Sequence, residues 1–176
     1  MKLYVLRHGE TDGNKADISI GNLDIPLNEM GKLQALQRRS DLSRLDIDFA
    51  FCSPKQRTLE TLQLVAPHLL VCLDDRLLSR DHGEFQGVKN EGRDLSEYWN
   101  IRVNRQYEKA ESVKHVYDRV CSFLDEIRAK YPDKNILIVT HSAIVRCIYY
   151  YFNGLPEDGN LFGYQSHTAS LETYEI

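Results

Sequence analysis

The sequence predicts a three-layer α/β/α sandwich with a mostly parallel central sheet of about six strands and a small helical lid insertion over residues 84–111. Two observations carry this expectation. Leu3-Tyr4-Val5-Leu6 and Ile136-Leu137-Ile138-Val139 are continuous apolar runs, the pattern of strands covered on both faces. Between them the apolar residues recur at helical spacing, and strands that alternate with amphipathic helices wind into a parallel sheet. With 176 residues, 42% of them hydrophobic and 27% charged, the chain has the size and balance of one globular domain over 1–176.

Each element has its own signal. After the first strand, Asn28 is placed to cap a helix from about Glu29 to Asp41 that would turn Leu33 and Leu36 inward. A strand near Asp48 to Cys52 follows. Ser53-Pro54 then reads as a helix start, serine as cap and proline at the first helical position, with Leu59, Leu62, Val65 and Ala66 as the buried stripe. A short strand is expected at Leu70 to Leu73. From Ser112 onward Val113, Val116, Val120, Phe123, Leu124 and Ile127 share one helical face until Pro132 stops it. The strand Asn135 to Thr140 leads through His141-Ser142 into a helix ending near Phe152, and Ser170 to Ile176 alternates as an edge strand would. Glu84 to Glu111 is too long for an ordinary connection and is expected to hold helices of its own.

Composition excludes several classes of function. A net charge of -4 offers no overall basic field, so neither nucleic acid nor an anionic membrane is an expected partner. No apolar run approaches a membrane-spanning length, and the stretch before Arg7 is too short for a signal peptide, so a cytoplasmic location is expected. Cys52, Cys72, Cys121 and Cys147 are widely spaced beside apolar segments and read as reduced, buried thiols. The histidines form no H-x-H or H-E-x-x-H pattern, so no metal and no other cofactor is expected. Nothing in the pattern specifies an oligomeric state.

The chemistry is concentrated at strand ends. Arg7-His8-Gly9-Glu10-Thr11 stands directly behind the first apolar run, and His141 stands behind the Ile136–Val139 run. Open α/β sheets place their ligands beyond the carboxyl ends of their strands. Ser53-Pro54-Lys55-Gln56-Arg57 brings another arginine into the first turn of a helix. Imidazole is partly unprotonated near neutral pH and can accept a phosphoryl group, and guanidinium matches phosphate oxygens in pairs. If the strands are neighbours, all three junctions surround one anion.

Several blocks extend this pattern: Asn14, Gly21, Asp24-Ile25-Pro26-Leu27-Asn28, Gly31 with Gln34-Ala35, Thr61, Gly83 to Gly87, Glu111-Ser112 and Arg119. In these residues the chain resembles the histidine phosphatase superfamily, the phosphoglycerate mutase-like family. The resemblance implies that His8 becomes a phosphohistidine that water hydrolyses, that Arg7, Arg57 and His141 hold the phosphoryl oxygens, and that Asn14, Gly21 and Ser142 lie on the phosphate side. It implies a phosphatase acting on a small phosphorylated metabolite. Residues 84–111, whose five basic and six acidic side chains nearly cancel while Tyr98, Trp99 and Tyr107 add aromatic surface, would then cover the leaving group; a helical excursion that fills out the core is the other reading.

The chain departs from the family at Ser79, where relatives carry the glutamate that protonates the leaving group. Asp81 is the first replacement, Glu84 the second, and a leaving group acidic enough to need no proton donor the third. A second departure is Ser142, where many relatives have glycine after the histidine. Two other functions stay open: phosphoryl transfer of the mutase type, and a binder of phosphorylated ligands impaired in catalysis by Ser79.

Overall fold

The computed structural model describes residues 1–175. In chain order the elements are β1 (Lys2–Arg7), α1 (Asp12–Lys15), α2 (Glu29–Leu42), β2 (Phe49–Cys52), α3 (Gln56–Val65), β3 (Val71–Leu73), α4 (Leu95–Tyr98), α5 (Val113–Lys130), β4 (Asn135–Thr140), α6 (Ser142–Asn153) and β5 (Leu171–Glu175). The sheet order is β3-β2-β4-β1-β5, with β5 antiparallel to β1 and the other pairings parallel. It has five strands among the described residues, not about six. A sixth would have to come from the long segment before α5, which folds mainly as turns. Ile176, the last residue of the expected edge strand, lies outside the described residues.

Alternating side chains of the central strands feed two cores. Leu3, Val5, Ile136 and Ile138 pack with α5 and α6 on one face, while Tyr4, Leu6, Leu137 and Val139 pack with α2 and α3 on the other. Three layers result. No helix among the described residues is long and apolar enough to cross a membrane.

Helix α5 matches its sequence pattern closely, from the Ser112 cap on the His115 amide to a buried stripe running from Val113 to Ile127. Helix α2 does not. Asn28 caps it through the Gly31 amide at 2.8 Å, but Leu33 and Leu36 are exposed and the buried residues are Gly31, Ala35 and Leu42. The cause is at Gly31: a Cβ there would lie 2.1 Å from the carbonyl oxygen of Glu10, so the helix meets the loop after β1 on its glycine face. At about 100° per residue, that orientation turns both leucines away.

Helix α3 also departs from expectation. It starts at Gln56 rather than at Pro54; the Gln56 amide is capped from a distance by Asp24 at 2.8 Å, and the Ser53 hydroxyl is used elsewhere. Leu59 is partly exposed, although Leu62, Val65 and Ala66 are buried as expected. Cys72 is exposed because β3 is the outermost strand; Cys52 and Cys147 are buried and Cys121 half-buried.

Over residues 84–111 the only α-helix is the single turn α4. The expected set of helices is absent because most of this segment is held by turns and bridges, such as Ile18 with Lys89 and Asn100 with Asn160. Tyr98 and Trp99 nevertheless enter the core beneath α5 and α6.

Candidate active site

Strand pairing decides which residues meet. Arg7 and Thr140 are register partners in the parallel pair β1–β4, so His8 and His141 leave adjacent strand ends side by side. The His8 amide continues the ladder onto the Thr140 carbonyl at 3.0 Å. Their ring centroids are 5.3 Å apart at an interplanar angle of 64°. On the other side of β4, the Ser53 amide bonds to the Val139 carbonyl, which carries the start of α3 and Arg57 to the same sheet edge. Arg7, His8, Arg57 and His141 all line one cavity of about 670 Å³.

The orientation of His8 follows from one short contact. Its Nδ1 lies 2.6 Å from the Gly9 carbonyl oxygen, so Nδ1 carries the proton and donates it there. Nε2 then holds the lone pair. Burial pushes the His8 pKa well below the ordinary histidine value, and the positive charges of Arg7 and Arg57 push it further down. The imidazole is therefore neutral throughout the physiological range. Gly9 permits this turn: a Cβ there would lie 2.4 Å from the Gly31 carbonyl oxygen. Its amide bonds to Thr61 Oγ1 at 3.1 Å, tying the loop to α3.

His141 is likewise held neutral, by burial first and then by Arg57, His8 and Arg7. Its Nε2 lies 2.7 Å from Ser53 Oγ. Ser53 is fully buried, and its hydroxyl has no other partner among the described residues. The hydroxyl therefore donates to Nε2, since accepting would leave its own proton stranded. That leaves the proton of His141 on Nδ1, which is buried without a protein acceptor. The first turn of α6 adds its amide dipoles from the same direction.

The two arginines are anchored by backbone carbonyls, not by carboxylates. Arg57 donates to Gly21 O at 2.8 Å and Leu23 O at 2.7 Å, and Arg7 donates to Ser166 O. Burial lowers both guanidinium pKa values to about 10, so both remain cationic. The Nε groups of both are buried without an acceptor. Buried donors in native proteins are nearly always paired, so two unpaired cations and an unpaired imidazole N–H around one cavity describe a binding site for an oxyanion.

The remaining candidates divide. Asn14 and Ser142 line the cavity. The Asn14 Oδ1 atom is taken by the Thr11 amide and hydroxyl, which leaves its Nδ2 protons unengaged among the described residues. Gly21 also lines the cavity, at φ +52°, and its carbonyl positions Arg57. Ser79 lies in the cavity wall. Asp81 and Glu84 do not line it: the Asp81 carboxylate accepts from the Gly83 amide at 2.8 Å, and Glu84 is exposed and accepts from the Lys109 amide. Arg119 pairs with Glu111 through two contacts of 2.8 and 3.0 Å and also holds the carbonyls of Arg76 and Ser79, fixing the segment that presents Ser79.

Of three other wall residues, the sequence singles out Trp99 only as aromatic surface of residues 84–111 and gives His82 and Arg146 no role. His82, which lies in the cavity wall against the Tyr98 hydroxyl at 2.8 Å, is kept neutral by burial and by Arg80, with its pKa lowered to about 3. Arg146 sits on the buried face of α6, and Trp99 comes from the segment after α4. An arginine within an apolar helix was the one available signal for Arg146.

Comparison with known proteins identifies the family. The family model of the histidine phosphatase superfamily (branch 1) matches residues 3–176. Phosphoserine phosphatase 1 of Hydrogenobacter thermophilus is 32% identical over 157 residues, covering 85% of this chain and 74% of that protein. The 2,3-bisphosphoglycerate-dependent phosphoglycerate mutase of Staphylococcus epidermidis is 26% identical over 215 residues, covering 99% and 94%. In structure, a mycobacterial glucosyl-3-phosphoglycerate phosphatase complexed with VO3 superposes with a TM-score of 0.86 at 24% identity, covering 98% of this chain and 91% of that one; at that identity the likeness concerns the fold. With paired imidazoles and guanidiniums at the sheet edge and a family match over nearly its whole length, this chain belongs to the histidine phosphatase superfamily.

Proposed function

We propose that this chain hydrolyses phosphate monoesters of a small metabolite through a phosphohistidine on His8. The observation that carries the reading is the His8–His141 pair, 5.3 Å between ring centroids, in a cavity also lined by Arg7 and Arg57. The cavity of about 670 Å³ is of metabolite size.

In the first step the Nε2 lone pair of His8 forms the N–P bond as the P–O bond to the leaving group breaks. Arg7, Arg57, the Nδ1–H of His141 and the amide of Asn14 take up the charge on the phosphoryl oxygens. Water then attacks phosphorus, the N–P bond breaks, and His8 returns to its neutral form. The leaving oxygen needs a proton. Neither Asp81 nor Glu84 lines the cavity and Ser79 is too weak an acid; of the carboxylates that do line it, Glu10 and Asp17 accept from Asn28 and Asn90 and Glu91 is exposed, so the enzyme favours substrates whose leaving group is itself acidic.

Transfer of the mutase type is less well supported. Arg105 is paired with Glu97 at 2.8 Å, and neither it nor Arg102 lines the cavity, so a paired arginine clamp for a phosphorylated acid is missing. The test is phosphate release from an aryl phosphate. The wild-type protein releases phosphate in multiple turnovers and His8→Ala loses at least about 10³-fold; equal rates for the two proteins contradict the proposal.

A further inference from the structure

Arg146 takes no part in the chemistry described above. It projects from the middle of α6, is only 4% exposed, and lines the same cavity as His8. Its guanidinium carbon lies 4.3 Å from the centre of the Trp99 ring and 5.2 Å from that of Phe162. Only Nε has a protein acceptor, the Tyr164 carbonyl at 2.9 Å. Neither terminal nitrogen has a hydrogen-bond partner among the described residues, and neither is sealed from solvent. No carboxylate forms an ion pair with it; Arg57 and Arg80, the other buried arginines, and the half-buried Arg7 spend their terminal nitrogens at least in part on backbone carbonyls.

Burial lowers its pKa to about 10, which leaves it cationic at neutral pH. A buried guanidinium without a counter-charge is costly to desolvate, and such a group is retained where an anion supplies the missing partner. The cavity's own carboxylates, Glu10, Asp17 and Glu91, come from other segments and lie outside ion-pair distance. Trp99 and Phe162 flank the guanidinium, and its two terminal nitrogens, unpartnered among the described residues and open to solvent, are left free to donate to a ligand of the cavity; a carboxylate or phosphate takes up such a pair with two hydrogen bonds.

We propose that Arg146 is a specificity-determining residue that binds a second anionic group, a carboxylate or a second phosphate, on the leaving-group side of the substrate. The inference deepens the phosphatase reading by naming what the leaving group carries. It also gives Trp99 and Phe162 a function: their rings flank the guanidinium and help to hold it at the cavity.

Non-hydrolysable ligands test this without relying on turnover. By calorimetry, 4-phosphonobutanoate and propane-1,3-diylbisphosphonate are compared with 4-hydroxybutylphosphonate, which has no second anion. The wild-type protein binds at least one of the dianionic ligands about tenfold or more tightly than the hydroxyl ligand, and which one wins separates carboxylate from phosphate recognition. Arg146→Gln abolishes that preference, and Arg146→Lys, which keeps the charge and loses the fork, retains part of it. Should Arg146→Gln fail to fold, the lysine variant decides, with a preference at least about threefold smaller than wild type. Equal affinities in the wild-type protein, or a preference unchanged in the variants, overturn the inference. Phosphate release from an aryl phosphate, measured in parallel, reports separately on the phosphatase reading.

Discussion

Ser79 shows how much one side chain decides at the residue scale. It lies in the cavity wall, where the family resemblance leads one to expect a glutamate, and Arg119 holds its carbonyl in place. Ser79→Glu is expected to raise kcat on alkyl phosphates by about 10² or more and to change aryl phosphates little, since only the poor leaving group needs the proton. Parallel rates on ethyl and p-nitrophenyl phosphate check this; equal gains on both would mean that the substitution acts through binding. The four charged and imidazole residues that line the cavity were legible in the sequence because each stands at a strand end or opens a helix. The tautomer of His141 was not, because it rests on a hydroxyl from 88 residues away whose proton has no other acceptor. Arg146 was equally hidden, since an arginine in an apolar helix carries no information about what faces it.

Among the elements, α2 is the most instructive. Its pattern suggested a leucine face, but a backbone-to-backbone approach of Gly31 to Glu10 sets its rotation instead. Close contacts of this kind leave only a glycine in the sequence, which by itself does not distinguish a turn from a helix contact. Because Glu10 is two residues beyond His8, that contact also positions the loop that carries His8. Gly31→Ala is therefore expected to destabilise the fold by about 3 kcal/mol, from a clash that neither backbone can relieve, and to lower kcat together with stability. Urea unfolding and steady-state rates read both; an unchanged midpoint would show that α2 tolerates a shift. Helix α5 was read almost completely because burial alone fixes its face. The short elements of residues 84–111 were missed because bridges to distant segments, invisible to local pattern, hold them.

On the scale of the whole molecule, the parallel order β2-β4-β1 is what converts three distant segments into one site. The cost appears in the pH dependence of stability. His8 and His141 are buried neutral, with folded pKa values well below those of the unfolded chain. As pH falls below about 6.5, the unfolded state takes up protons that the native state refuses, so stability declines by about 1.4 kcal/mol per pH unit for each, or about 4 for the two together with His82, whose folded pKa is lowered to about 3. Denaturant unfolding between pH 7.5 and 5 checks the slope, and a flat profile would mean that these rings accept protons in the folded state. The alternating strands made the three layers legible, and the continuous apolar runs identified the central pair; the edge position of β3, and with it the exposure of Cys72, depended on pairing that the sequence does not encode locally. The central claim is that His8 carries phosphorus covalently. The most direct measurement is a rapid quench in base during turnover of a 32P-labelled aryl phosphate, followed by peptide mapping. The account predicts an acid-labile, base-stable label on the peptide containing His8 and none in His8→Ala. Turnover without any label on the protein, or a label on another residue, would contradict it.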